Sequence, residues 1–191
     1  SRAILVLQPS SRMSQWLAGI NLPPTQGTSN SGAFLPGVYS FDYEVCNIEG
    51  VRGSGFNALR LPLNIDTAHD GGTLEKMQDW VAAIGGDAVL CMWDENCEDV
   101  NGDGHGNGRV NDVGAMIAAW SAVHAVFQDS PGVLYEIFNE PFGYSKQEEV
   151  ARYLEEMMAI IDGAALPKDR CILSGLGYAD DVQCVAAAGW D

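Results

Sequence analysis

The sequence predicts an α/β fold: parallel strands covered by helices in a single domain over residues 1–191. Apolar runs of strand length alternate along the chain with segments whose apolar residues recur at helical spacing. The strand runs are apolar throughout rather than alternating, as burial on both faces of a parallel sheet requires. Neither an internal repeat nor a linker divides the chain.

The elements follow in order. "LAGINLP" (17–23) reads as a short strand before a Gly/Ser/Thr/Pro-rich loop that runs to Gly37. "FNALRLPL" (56–63) is a strand stopped near Pro62, which has no N–H to give to a ladder. "TLEKMQDWVAAI" sets Leu74, Met77, Val81 and Ile84 on one helical stripe, behind a Gly-Gly breaker and with Thr73 as N-cap. "DAVLCMW" (87–93) is the next strand, and "DVGAMIAAWSAVHAVF" a helix with Val113, Met116, Ile117, Trp120 and Phe127 on its apolar side. "VLYEIF" (133–138) is a fourth strand, closed by Asn139, Glu140 and Pro141. "SKQEEVARYLEEMMAIIDG" begins with a capping box, Ser145 with Glu148, and ends at Gly163 as helix cap. "RCILSG" (170–175) is the fifth strand and "ADDVQCVAAAG" a last short helix.

With 26 acidic against 10 basic residues the net charge is −16, which excludes a nucleic-acid partner because phosphates would be repelled. No apolar run reaches the ~20 residues that cross a membrane. The start "SRAILVLQPSS" has neither an initiator Met nor the layout of a signal peptide, so it reads as a trimmed terminus. The five cysteines form no CxxC pair, which speaks against a zinc or redox centre, and Cys91 and Cys171 read as small core hydrophobes.

Ligands of parallel α/β folds bind beyond the carboxyl ends of the strands. Polar residues gather at those ends: Asn21, then Asn64 and Asp66, Asp94 and Glu95, Asn139 and Glu140, and lastly Tyr178 and Asp180. Trp93, Phe142, Tyr144 and Tyr178 lie near them and suit an uncharged ring such as a sugar. Asn21, Trp93, Asp94, Tyr144 and Tyr178 are therefore the candidate substrate-binding residues. Glu140 follows an apolar strand between Phe138 and Phe142, a setting that desolvates a carboxylate and raises its pKa, as a general acid needs. Glu136, on the same strand face one layer lower, is read as structural, with Arg60 on a neighbouring strand as its partner. His124 is read as a packed core histidine.

Four segments, "GINLPP" (19–24), "GFNALRLPLN" (55–64), "VLYEIFNEPFGY" (133–144) and "CILSGLGY" (171–178), resemble glycoside hydrolase family 5, the cellulase-type (β/α)8 barrels, in order and spacing. The resemblance implies Glu140 as general acid/base, Asn139 as the residue holding the sugar's 2-hydroxyl, and Arg60 as the buried arginine that steadies the catalytic carboxylates. It implies oligo- or polysaccharide substrates with β-linkages, no organic cofactor, and a secreted or extracellular place of action. It also departs from the family. A full barrel has eight strands in ~250 residues, and this chain has room for about five strand–helix units: an incomplete TIM-like (β/α) barrel. The family's later His-x-Tyr element and nucleophilic glutamate have no counterpart in the 191 residues. A second carboxylate, which glycoside hydrolysis requires, is then expected from Asp94, Glu95, Asp66 or Asp180, or from a neighbouring subunit. The alternative is a non-catalytic glycan-binding or vestigial protein.

Two further expectations concern a cation and assembly. In "DVNGDGHGNGRVNDV", Asp99, Asn101 and Asp103 precede Gly104 at the spacing of a calcium loop, with Asp112 placed to close the shell; a plain Gly/Asn connection is the other reading. Stopping a barrel after about five strands leaves the edges of the first and fifth unpaired and uncovers side chains such as Leu59, Leu61, Leu90, Ile137 and Ile172. A homo-oligomer that closes the open side is expected.

Overall fold

A computed structural model describes residues 19–21, 48–85, 87–93, 107–144 and 147–190. Strands β1 (Gly19–Asn21), β2 (Ala58–Leu63), β3 (Ala88–Met92), β4 (Val133–Glu136) and β5 (Cys171–Ile172) form one parallel sheet in the order β1-β2-β3-β4-β5. Between them run helices α1 (Ile48–Gly53), α2 (Ile65–Ala68), α3 (Gly71–Ile84), α4 (Val113–Phe127) and α5 (Val150–Gly163), and α6 (Leu176–Ala179) and α7 (Val182–Ala187) follow. The strand order never reverses. A doubly wound sheet reverses at its switch point; a monotonic order is the winding of a (β/α) barrel, here an incomplete one.

The helix side of the sheet holds the core. Leu59, Leu61, Leu63, Ala88, Leu90, Met92, Val133, Tyr135 and Ile137 pack there against Leu74, Met77 and Trp80 of α3 and Met116, Trp120 and Phe127 of α4. Burying each large apolar side chain contributes about 1.5–3 kcal/mol. This corrects the expectation that Leu59, Leu61, Leu90 and Ile137 would be partly uncovered: all four are at most 1% exposed, because odd-numbered positions of β2 turn to the helices. Ile172 is half-buried. Even-numbered Arg60, and with it Cys91 and Glu136, turn to the opposite face.

Of three local features, one agrees with expectation and two differ. β2 ends at Leu63, just past Pro62, where the sequence reading ended it. Leu59 N–H and Leu63 C=O bond toward β3, so Pro62 directs its ring nitrogen to the β1 side, two residues past Arg60, the last residue in a described pair with β1. Helix α3 begins at Gly71 with Asp70 as N-cap, its Oδ1 accepting from Thr73 N–H at 2.7 Å; Thr73 is inside the helix, not its cap. Gly163 is the last residue of α5, with Ala164 as cap. A Cβ on Gly163 would meet Ile117 Cδ1 at 2.7 Å, so glycine there serves the close approach of α5 to α4.

Candidate active site

Strands β2, β3 and β4 place one polar side chain each on the face away from the helices. Arg60 reaches over β3 to Glu136, with Nε to Oε2 and Nη2 to Oε1 both at 2.7 Å. The pair therefore joins next-but-one strands, not neighbours. Arg60 Nη2 also donates to Asn139 Oδ1 at 2.9 Å and lies 2.9 Å from Cys91 Sγ, while Ser174 Oγ donates to Glu136 Oε1 at 3.2 Å. The side chains of Arg60 and Glu136 are only 14% and 8% exposed. Burial opposes the charge on Arg60, but the Glu136 hydrogen bond and the surrounding negative groups outweigh it and push its pKa up. A charge taken out of water this far is tolerable only when paired and hydrogen-bonded.

Beyond β4 the chain carries the ladder on: Ile137 N–H bonds to Ile172 C=O at 3.1 Å and Asn139 N–H to Met92 C=O at 2.8 Å. Asn139 is 3% exposed. The next residue, Glu140, takes a left-handed backbone, φ 42°, that L residues other than Asn and Asp seldom adopt. Phe142 N–H closes back onto Glu140 C=O at 2.7 Å. The turn presents a half-buried carboxyl beside the Arg60–Glu136 pair. Burial raises its pKa; Arg60 opposes the shift, and Glu136 and Asp180 reinforce it. Phe142 stacks on Tyr178, the ring centroids 5.1 Å apart and the planes 17° from parallel. Tyr178 is 64% exposed, so its outer face is open to a ligand ring.

Other candidates fall elsewhere. Tyr144, expected at the mouth, is fully buried. Its N–H closes a turn onto Pro141 C=O, and its ring packs against Tyr153 and under Arg109. Its hydroxyl accepts from Val110 N–H at 3.0 Å and donates to Glu156. It braces the wall and offers no face to a ligand. Trp93 is half-buried just beyond β3, its backbone N–H bonded to Leu63 C=O at 2.7 Å. Asn21 ends β1 opposite Arg60; its side chain, with Asp94, Glu95, Asp99, Asn101 and Asp103, lies outside the described residues. Asp112 caps α4, its Oδ1 accepting from Ala115 N–H at 2.9 Å. Asp66 and Asp180 are exposed. Among the described residues no three His, Cys, Asp or Glu side chains gather as a metal site. His124 is half-buried, its Nδ1 2.9 Å from the Tyr135 hydroxyl.

Sequence reasoning missed the polar roles of Cys91 and Ser174. Cys91 is wholly buried, as a core hydrophobe would be, but it sits among Arg60, Glu136 and Asn139 rather than among apolar neighbours. The available signal was position: one residue short of the end of β3, level with Glu136. A shallow depression at the other pole, lined by Gln78, Asp79, Gly85, Asp87, Asp129 and Gly132, touches none of these groups.

A family model, Cellulase (glycosyl hydrolase family 5), matches residues 44–188. Solved structures of similar fold include a lucidum protein (TM-score 0.57, 20% identity, covering 85% of this chain and 55% of that one). Another is XacCel5A in complex with cellopentaose (TM-score 0.53, 20% identity, 70% of this chain and 44% of that one). A third is the endo-beta-1,4-glucanase from Xanthomonas axonopodis pv. citri in triple-mutant form (TM-score 0.51, 20% identity, 70% and 44%). The chain thus spans about half the length of the structures it matches. No curated protein matches it.

Proposed function

The chain belongs to the cellulase family, glycosyl hydrolase family 5, and from that premise we propose that it hydrolyses O-glycosidic bonds in β-linked glucans or related glycosides, with Glu140 as general acid/base. The observation that carries the reading is the half-buried Glu140 carboxyl, held in a left-handed turn beside a buried Arg60–Glu136 pair and more reluctant to ionise than a free glutamate. A carboxyl that keeps its proton can pass it to the glycosidic oxygen as the bond breaks.

The neighbours fit supporting parts. Arg60 occupies Asn139 Oδ1, which fixes the amide so that its NH2 edge is the one to meet a sugar hydroxyl. Glu136 absorbs the arginine's charge, so that Arg60 does not strip Glu140 of its proton. Tyr178, backed by Phe142, would stack on a pyranose ring. The second carboxylate would come from Asp94, Glu95, Asp66, Asp180 or a neighbouring subunit; of Asp66 and Asp180, the two among the described residues, Asp180 is favoured because its charge reaches Glu140. The proposal includes a secreted place of action, a calcium ion on Asp99, Asn101, Asp103 and Asp112, and a homo-oligomer. No described helix is long and apolar enough to cross a membrane. Among the described residues no strand pairs with the outer edge of β1 or β5.

The second reading is a glycan-binding protein without turnover, favoured by Tyr178, an exposed aromatic platform. Assay on a soluble β-glucan with reducing-end detection, alongside calorimetry with a cello-oligosaccharide, separates the two. New reducing ends that scale with protein support hydrolysis. Saturable binding without them supports the binder, and the absence of both would overturn the reading of a β-glucan substrate.

A further inference from the structure

Cys91 has no part in the chemistry proposed above, yet it is the residue around which that chemistry is arranged. On the side of the sheet opposite the core, β3 separates Arg60 from Glu136, and Cys91 is the β3 residue paired in register with Glu136. The guanidinium must cross β3 to reach its carboxylate. A small side chain at 91 leaves that path open, and a branched or aromatic one would stand in it.

The sulfur also takes a hydrogen-bonding place. Arg60 Nη2 carries two hydrogens and faces three acceptors: Glu136 Oε1 at 2.7 Å, Asn139 Oδ1 at 2.9 Å and Cys91 Sγ at 2.9 Å. Cys91 Sγ is in turn 3.8 Å from Asn139 Oδ1, within reach of a long S–H···O contact. The thiol thus touches both groups that frame Glu140: the arginine behind it and the amide one residue before it. A carboxylate at this position would compete for Arg60 and add repulsion at Glu140.

We propose that Cys91 is a positioning residue, whose side chain holds the Arg60 guanidinium and the Asn139 amide in the arrangement that frames Glu140. The proposal rests on the reading of Glu140 as general acid, and its test is chosen to stand without it. Among the described residues, the charged groups that act on the Glu140 carboxyl are Arg60 from β2, Glu136 from β4 and Asp180 after α6; Cys91 works through the first.

The experiment uses the full chain with Cys91→Ser, Cys91→Ala and Cys91→Asp. The Glu140 side-chain carboxyl is titrated by carbon NMR, the Asn139 side-chain amide is followed in the same samples, and kcat and KM are measured on β-glucan. Serine, small, neutral and able to donate and accept, is expected to keep the Glu140 midpoint and the Asn139 shifts of the wild type. Alanine is expected to move the Asn139 amide and to lower kcat about tenfold with KM little changed, short of the ~10²-fold that a 1 Å misplacement can cost. Aspartate is expected to raise the Glu140 midpoint. If it prevents folding, the contrast between serine and alanine decides. Identical Glu140 midpoints and Asn139 shifts in all folded variants overturn the proposal. If the wild type cleaves no glucan while the midpoints and shifts respond as expected, Cys91 keeps its role and the hydrolase reading falls. If the wild type is active and alanine changes neither kcat nor the spectra, Cys91 is merely buried.

Discussion

Arg60 and Glu136 close a two-pronged ion pair across the intervening strand, with both N–O distances 2.7 Å and both side chains largely out of water. Breaking such a pair from one side strands the other charge, which costs about 3–5 kcal/mol. Glu136→Gln, which keeps the shape and removes the charge, is expected to lower unfolding free energy by that order in urea. The double change Arg60→Met with Glu136→Leu should cost less than the single one, since no charge is left buried. A Glu136→Gln protein as stable as the wild type would show that the pair is solvated in solution.

Glu140→Gln is expected to lower glycosidase turnover by about 10²–10⁴-fold, because the amide cannot donate the proton. Stability should move the other way. The pKa of Glu140 is raised by folding, so its contribution to stability is present below the unfolded pKa, ~4.3, and is lost as pH rises through the folded value. At pH 7 the cost of ionising this carboxyl in the fold therefore opposes folding, and glutamine removes that opposition. The variant should melt above the wild type at neutral pH, with the gap closing in acid below ~4. Unchanged turnover on a substrate with a poor leaving group would end the assignment, and a lower melting temperature at pH 7 would contradict the electrostatics.

The sheet was legible because each strand is a short, continuous apolar run, and strand ends told where chemistry could gather. Direction beyond those ends was not. Tyr144 follows Asn-Glu-Pro closely enough to suit the mouth, but the turn closed on Pro141 C=O folds its ring back under Arg109. Thr73 has the chemistry of a cap, yet Asp70 has it too, and Gly71 and Gly72 proved to be helical rather than a break. The partner of Arg60 lies two strands away, so no local pattern announces it. Cys91 illustrates the limit: apolar neighbours in sequence predict burial correctly and say nothing of the guanidinium it meets.

Gly163→Ala tests the contact between α4 and α5. Alanine is worth about 0.8–1 kcal/mol over glycine inside a helix, but its Cβ would fall 2.7 Å from Ile117 Cδ1 and 2.9 Å from Cγ1. Overpacking costs about 1–3 kcal/mol, so the net change should be a loss of about 1 kcal/mol and a lower melting temperature. Adding Ile117→Ala to that variant should then cost less than Ile117→Ala costs the wild type. A stabilised Gly163→Ala protein would mean that the two helices separate freely.

Chelation tests the calcium proposal. An ion bound only by the folded chain stabilises it by mass action, so EDTA should lower the melting temperature and added calcium restore it. Asp112 would contribute its second oxygen, since Oδ1 already caps α4. Asp99→Asn together with Asp103→Asn should abolish the response. A melting curve indifferent to both EDTA and calcium returns the loop to a plain connection.

Tyr144 and Tyr178 were alike in sequence as sugar platforms, and the fold separates them into a brace and an exposed face. Removing the Tyr144 hydroxyl orphans the buried Val110 N–H and takes one partner from the Glu156 carboxylate, which keeps Arg152, and a buried group left without its partner costs about 1–3 kcal/mol. Tyr144→Phe should therefore lower stability and leave KM unchanged. Tyr178→Ala removes a ring already 64% exposed, so stability should change little beyond the loss of its stack on Phe142. The loss should appear as weaker binding of a cello-oligosaccharide, by about 1–3 kcal/mol if the ring behaves as a stacking platform does for other flat or ring-shaped ligands. Calorimetric titration and thermal melting of both variants read the two effects separately. A Tyr178→Ala protein that binds the oligosaccharide as tightly as the wild type would remove the platform from the proposed site and leave Asn139 and Glu140 to hold the sugar alone.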